Sequence, residues 1–260
     1  MSVGFVGLGN MGQGMVDNLL SKDADLTVFT RTQSKIEAMI DRGAKGATSV
    51  VDLASKVDVV LVCLPDVKTS RDLLLGSDGV IANAQPGQVI VDHSTVDIAT
   101  SRACAEAAET KGAHFLDAPI SGGPGGASAG TLAIMVGGVE SAFETASEYF
   151  EKMGANVKHM GPSGAGTAMK LINQLLVAVN TVAAAEAFAL ANSAGVDIQI
   201  AADLLAVSWG GSTMVDRSAP ITVSRDFADS AAPVRNLDKD MGIIKQFATD
   251  EGLSLELALK

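Results

Sequence analysis

The chain changes texture midway. Through its first half, short apolar runs rich in β-branched residues recur as SVGFVGL, DLTVFT, DVVLVCLP and GQVIVDHST, each running into small, polar or turn-forming residues. Continuous apolar runs of this length predict strands buried on both faces. Between them, Met11 to Leu20 places apolar side chains at Met11, Met15, Leu19 and Leu20, a helical spacing, and Ser34 to Arg42 predicts a second helix. Steady alternation of strand and helix predicts an α/β fold, a parallel sheet with helices on both faces, in which ligands bind beyond the carboxyl ends of the strands. Those ends read Gly7-Leu8-Gly9, Thr30-Arg31-Thr32, Leu64-Pro65-Asp66, His93-Ser94-Thr95 and Ala118-Pro119-Ile120-Ser121. Turns favour the same residue types, so composition alone does not make these ends a site.

From Gly161 the strand pattern stops. The segment GPSGAGTAMKLINQLLVAVNTVAAAEAFALANSAG predicts one long helix after a glycine-rich lead-in, closed by Gly195. A domain boundary is expected near Pro162, separating residues 1–162 from an all-helical domain over 163–260 whose further helices are broken at Pro220 and Pro233. The long helix is apolar on nearly every side, so it is expected to be packed all round, between domains or between subunits. Lys170, Asn173, Gln174, Asn180, Glu186 and Asn192 interrupt it, which makes it too polar for a comfortable lipid span.

Composition narrows the picture. At 260 residues the chain suits one large and one smaller domain, and 47% hydrophobic with only 4% aromatic residues suits parallel strands and close-packed helices better than a β-sandwich. A net charge of −11 argues against nucleic acid or an anionic membrane as partner, since either would be repelled over most of the surface. Cys63 and Cys104 form no CxxC pair, and with only His93, His114 and His159 no metal set can be assembled; a reduced cytoplasmic setting is expected. The first residues lack the basic flank and cleavage site of a signal peptide.

The glycine-rich loop carries the first chemistry. Gly7-Leu8-Gly9-Asn10-Met11-Gly12 has the form G-x-G-x-x-G and lies between a predicted strand and helix, the context a dinucleotide grip requires. Gly7 serves a tight turn, Gly9 lets a pyrophosphate approach the helix N-terminus, and Gly12 lets the helix pack on the strand. The residue expected to meet the adenosine ribose stands at the end of the next strand and is Arg31, nineteen places after Gly12. An acidic residue there would accept from a ribose 2′-hydroxyl, whereas Arg31 with Thr32 fits a 2′-phosphate. NADP(H) is therefore the expected cofactor, with NAD(H) the alternative. A second glycine-rich run, SGGPGGASAG, lacks the G-K-[ST] ending of a phosphate loop.

Four stretches together resemble the β-hydroxyacid dehydrogenase family, the type that includes 3-hydroxyisobutyrate dehydrogenase, tartronate semialdehyde reductase and the glyoxylate/succinic semialdehyde reductases. They are GFVGLGNMG, FLDAPISGG at Phe115 to Gly123, GAGTAMKLINQ at Gly164 to Gln174, and NLDKDM at Asn236 to Met241, and they span nearly the whole chain. The resemblance implies a Rossmann domain joined by a long helix to a helical domain, and a homo-oligomer, dimer or tetramer. It implies Lys170 as general acid/base, Ser121, Gly122 and Gly123 as the substrate-carboxylate loop, and Asn173 or Gln174 as a further substrate contact. Cofactor contacts carry over to Leu64, Pro65, Thr95 and Lys239. Read without the family, Lys170, Asn173 and Gln174 share one helical face by their i, i+3, i+4 spacing, a polar stripe that either serves chemistry or satisfies loop carbonyls. Lysine suits proton transfer because burial and a neighbouring oxidised nicotinamide both disfavour its ammonium form.

Two positions depart from the family pattern. Ala232 stands where many members carry a phenylalanine that walls the substrate pocket, so a wider pocket is expected, and the chain stops at GLSLELALK where the family usually continues, which leaves three expectations: an incomplete chain, a trimmed helical domain, or one completed by a partner subunit. The expected function is an NADPH-dependent reductase of small carboxylated aldehydes such as tartronate semialdehyde, succinic semialdehyde or glyoxylate, giving the hydroxyacids. Its rivals are an NAD-dependent dehydrogenase of 3-hydroxyisobutyrate or a sugar acid, and a cofactor-binding scaffold or sensor without catalysis. An imine reductase is disfavoured because such relatives generally lack the lysine.

Overall fold

The computed structural model of the chain describes residues 1–227 and 234–259. Among them two compact units separate at Lys170, one of residues 1–170 and one of the described residues from 171 onward. In chain order the first unit contains β1 (Val3–Val6), α1 (Asn10–Ser21), β2 (Leu26–Phe29), α2 (Gln33–Ile40), β3 (Lys45–Gly46), α3 (Val50–Ala54), β4 (Val59–Val62), α4 (Val67–Leu75), β5 (Val89–Asp92), α5 (Ile98–Thr110), β6 (His114–Asp117), β7 (Ile120–Ser121), α6 (Gly123–Ala129), β8 (Leu132–Gly137), α7 (Glu140–Met153) and β9 (Gly154–Gly161). The helix α8 (Ala165–Ser193) follows, then α9 (Ile198–Leu205), α10 (Thr213–Ser224) and α11 (Val234–Asp250).

The strands lie in the order β3-β2-β1-β4-β5-β6-β8-β7, with β9 beside β8. From β3 to β6 every pairing is parallel. At β8 the regularity ends: it runs antiparallel to β6 and β7 and parallel to β9. The sheet is thus parallel through its first six strands and mixed beyond them.

The continuous apolar runs have a direct cause, because side chains alternate between two cores. Val3, Phe5, Val59, Leu61, Val89 and Val91 pack with Met15 and Leu19 of α1 and Phe150 and Met153 of α7. Val6, Val60, Val62 and Ile90 pack on the other face with Leu53 of α3, Leu74 of α4 and Cys104 and Ala108 of α5. With both faces covered, no strand position of β1 or β4 needs to be polar.

In the second unit, Ala184 and Phe188 of α8 pack with Ala202 of α9 and Val215 and Ala219 of α10. Within the single chain the long helix leaves Leu176 and Leu190 57% and 72% exposed, a face that the expected packing between subunits would cover. By length and composition alone it could also cross a membrane. Pro220 lies inside α10 rather than breaking it; it is on the exposed side, where the carbonyl left without an N–H partner can be solvated. Pro233 and Ala232 lie outside the described residues.

Candidate active site

Strand order reverses between β1 and β4, and the glycine loop sits at that point. The N–H of Gly7 donates to the Phe29 carbonyl of β2, while the N–H of Cys63 donates to the Val6 carbonyl. Gly7 has φ +106°, and a methyl on it would stand 2.2 Å from the Cys63 carbonyl oxygen, so both the turn and the crowding demand glycine. Helix α1 begins at Asn10 with Gly9 as its N-cap, and no side chain caps it. Its first N–H groups and the positive end of its dipole meet the ground beside Gly9, where an added methyl has no neighbour within 4 Å. That open cradle fits the pyrophosphate of a dinucleotide.

Within the loop the residues divide their work. Leu8 is buried in the core, and its carbonyl accepts from the Gln13 side chain at 3.1 Å and from Lys35 Nζ at 2.9 Å. Asn10 is exposed and Met11 half-buried. Arg31 and Thr32 are exposed beyond the end of β2; Thr32 is the N-cap of α2, yet its hydroxyl does not cap the helix. Lys35, one turn after Arg31, brings a second cation to this corner, and sequence reading passed over it because a lone lysine on a helix reads as a solvated side chain.

The loops after β4 and β5 are tied together, the N–H of Leu64 donating to Ser94 Oγ at 2.9 Å; Leu64 and Thr95 are half-buried and Pro65 exposed. Beneath them lies an acidic layer that the sequence did not reveal. Asp92 and Asp117 are paired in register at the ends of β5 and β6, both buried. Burial pushes the Asp92 carboxyl up to about 6, against the pull of hydrogen bonds from Ser94. Burial also holds His93 down at about 4, and its Nδ1–H donates to the Ala118 carbonyl at 2.7 Å.

The DAPISGG segment runs from Asp117 through β7. Ser121 is half-buried, and Gly122, the N-cap of α6, and Gly123, its first residue, follow with φ +138° and +64°, values that L side chains rarely adopt. The run SGGPGGASAG is therefore a helix entry as well as a loop, and α6 docks on α1: the Asn18 side chain donates to the Ala127 carbonyl at 2.7 Å.

The start of α8 is clamped against the strand ends. Asp117 accepts the N–H of Gly164 on Oδ1 and the N–H of Thr167 on Oδ2, each at 2.7 Å. Burial raises this carboxyl, and the two amides lower it. The hydroxyls of Thr167 and Ser101 lie 2.8 Å apart, and a methyl on Gly166 would stand 2.2 Å from the Met135 carbonyl oxygen. Lys170 follows three residues after Thr167 and is only 6% exposed. A lysine this buried is rare without a task.

In the second unit a separate polar group forms. Gln174 donates from Nε2 to Asp240 Oδ2 at 2.5 Å, Asn173 donates to Gln174 Oε1 at 3.1 Å, and Lys239 pairs with Asp240 Oδ1 at 2.9 Å. Asp240 is buried, so the Gln174 amide holds a carboxylate in place. Asp240 carried no role in the sequence reading beyond its place in the LDKD run. Among the described residues no group of histidine, cysteine and carboxylate side chains forms a metal site, and Cys63 and Cys104 are free thiols.

A glycine loop at the reversal of a parallel sheet, with an uncapped helix behind it, defines a nicotinamide-dinucleotide enzyme of the Rossmann class, and comparison with known proteins agrees. Residues 2–161 match the family profile "NAD binding domain of 6-phosphogluconate dehydrogenase", and residues 164–259 match "NAD-binding of NADP-dependent 3-hydroxyisobutyrate dehydrogenase". The chain is 36% identical over 253 residues to an NAD-dependent L-serine dehydrogenase of Pseudomonas aeruginosa, covering 95% of this chain and 85% of that one. A crystal structure of 3-hydroxyisobutyrate dehydrogenase from Salmonella typhimurium superposes with TM-score 0.90 at 30% identity, covering 99% and 90% of the two chains. A Mycobacterium tuberculosis 3-hydroxyisobutyrate dehydrogenase solved with L-serine does so with TM-score 0.88 at 31% identity, covering 99% and 89%. The chain belongs to the β-hydroxyacid dehydrogenase family and is an NAD(P)-dependent oxidoreductase.

Proposed function

We propose that the enzyme interconverts small carboxylated aldehydes and their hydroxyacids, working as an NADPH-dependent reductase with Lys170 as general acid/base. The observation that carries this reading is the burial of Lys170 at the start of a helix clamped to the DAPISGG segment. The bound nicotinamide supplies the hydride. Lys170 gives its proton to the alkoxide oxygen that develops at the former carbonyl, and takes it back in the oxidative direction. Ser121 and the N–H groups of Gly122 and Gly123 hold the substrate carboxylate, and Asn173 adds a hydrogen bond to the substrate. Arg31 and Thr32 take the 2′-phosphate of NADPH, while Gly7 to Gly12 with the loops at Leu64, Pro65 and Thr95 seat the rest, and Lys239 contributes from the LDKD run.

A second reading is NAD-linked oxidation of 3-hydroxyisobutyrate or L-serine, the activities for which the relatives are named. One experiment separates the two: turnover of the purified protein with NADPH and NADH against glyoxylate, succinic semialdehyde and tartronate semialdehyde, and with NADP⁺ and NAD⁺ against 3-hydroxyisobutyrate and L-serine. Lys170→Ala should lower kcat by about a thousandfold, to a residual rate, on whichever substrate is found and leave NADPH affinity within about twofold; normal turnover by that variant sinks the mechanism.

The apolar side chains that α8 leaves exposed support a homo-oligomer in which a second copy covers them, a state that light scattering on the purified protein tests. The two free thiols suit a reducing cytoplasm.

A further inference from the structure

The proton-transfer role of Lys170 requires that its ammonium be held at a fixed height and rotation above the carboxylate-binding loop. We infer that Asp117 is the positioning residue: its buried carboxylate fixes the first turn of α8, and through that turn Lys170, against the same segment that presents Ser121. The inference rests on the reading of Lys170 as general acid/base.

The geometry is specific. A helix begins with N–H groups that have no intrahelical partner, and Asp117 satisfies two of them from outside the helix, one on each carboxylate oxygen, at 2.7 Å. A carboxylate is acceptor-only, so both bonds survive only in the ionised, unreplaced side chain. Asp117 is 1% exposed, so water cannot substitute for either bond. Its charge also meets the positive end of a 29-residue helix. Along the helix, Thr167 precedes Lys170 by three residues, almost one turn. Along the strand, Asp117 precedes Ser121 by four, through Ala118, whose carbonyl is itself held by His93. One side chain thus stands between the residue that moves the proton and the loop assigned to the substrate carboxylate. Gly166 completes the clamp: its Cα approaches so closely that a methyl would lie 2.5 Å from the Asp117 carbonyl oxygen.

The test is a double-mutant cycle on Asp117→Asn and Lys170→Ala. Asparagine keeps the shape and one acceptor, but turns its amide N–H groups toward the N–H of Thr167 or Gly164. In the wild-type background Asp117→Asn should lower kcat by about tenfold to a hundredfold while leaving KM for NADPH within about twofold, because a small displacement of the proton-transfer group costs rate and the glycine loop is built by other elements. In the Lys170→Ala background the same substitution should cost less than about twofold, since a residue that acts through Lys170 has nothing left to position. Equal losses in both backgrounds, or wild-type kcat in folded Asp117→Asn, would overturn the inference while leaving the role of Lys170 intact. Full turnover by Lys170→Ala would overturn both. If Asp117→Asn does not yield folded protein, Asp117→Ser, whose hydroxyl still accepts one of the two amides, carries the same readings.

Discussion

A methyl group on Gly12 would stand 1.9 Å from the carbonyl oxygen of Gly7, whereas one on Gly9 would meet nothing within 4 Å. Two glycines of a single loop therefore answer to different demands. Gly12 is required by the fold, because α1 rests on the loop that leads into it; Gly9 is required by whatever approaches from outside. Gly12→Ala is expected to destabilise the protein without cofactor by more than about 2 kcal/mol, since backbone must move to make room. Gly9→Ala should leave the melting temperature unchanged and weaken NADPH binding by about tenfold or more. Thermal melts and fluorescence titration of both variants check this, and a Gly9→Ala variant with full affinity would remove the pyrophosphate from that cradle.

Arg31 stands exposed beyond β2, so it can be exchanged without disturbing the core. If it takes a 2′-phosphate, Arg31→Asp should lower the ratio of kcat/KM for NADPH over NADH by about a hundredfold, combining loss of a charge-assisted bond with repulsion of the phosphate. An unchanged ratio would show that the cofactor preference is made elsewhere.

The glycine loop, the place of Arg31 beyond β2 and the extent of α8 were legible because each is written in consecutive residues or in one helical period. What escaped the sequence depends on residues far apart in it. Asp117 meets Gly164 and Thr167, which lie 47 and 50 residues later, and no local pattern announces such a bond. The antiparallel turn of the sheet at β8 escaped for the same reason: its apolar run is as compatible with one strand direction as the other. Helix α6 was hidden by its glycines, which lower helix propensity; its close approach to α1 is made at Gly14 of α1, where a methyl would stand 2.8 Å from the Ser128 nitrogen, and Asn18 holds it there. Lys170 itself was legible only as a polar residue on an apolar helix. Its burial depends on packing, and its proposed use on chemistry.

Asn173 and Gln174 were equal candidates in sequence, and the structure separates their work. Gln174 holds the buried Asp240, and Asn173 in turn donates to Gln174. Gln174→Ala should lower stability by about 1–3 kcal/mol, the cost of leaving a buried carboxylate short of a donor. Asn173→Ala should change stability little and raise KM for the carboxylated substrate. The reverse pattern in chemical denaturation and steady-state kinetics would exchange their roles.

Asp92 and His93 pull the pH dependence of folding in opposite directions. Asp92 is fully buried and raised from 3.8 to about 6, so the stability it contributes is present below 3.8 and lost as pH rises through 6. His93 is lowered from 6.5 to about 4, so its contribution is present above 6.5 and lost as pH falls through 4. Over the shared window the two slopes offset each other, and from these two groups the wild-type protein should show little net change between pH 4 and 6.5. Asp92→Asn keeps an acceptor for the Ser94 N–H and removes the titrating charge. The variant should therefore gain on the wild type as pH rises, by roughly 3 kcal/mol between pH 4 and 7, which is two pKa units at 1.36 kcal/mol each. Because His93 is then unopposed, the variant should also be the more acid-sensitive protein below pH 6.5. Urea denaturation of both proteins at pH 4.5, 5.5, 6.5 and 7.5 measures the difference directly, and parallel curves would mean that Asp92 does not titrate in this range.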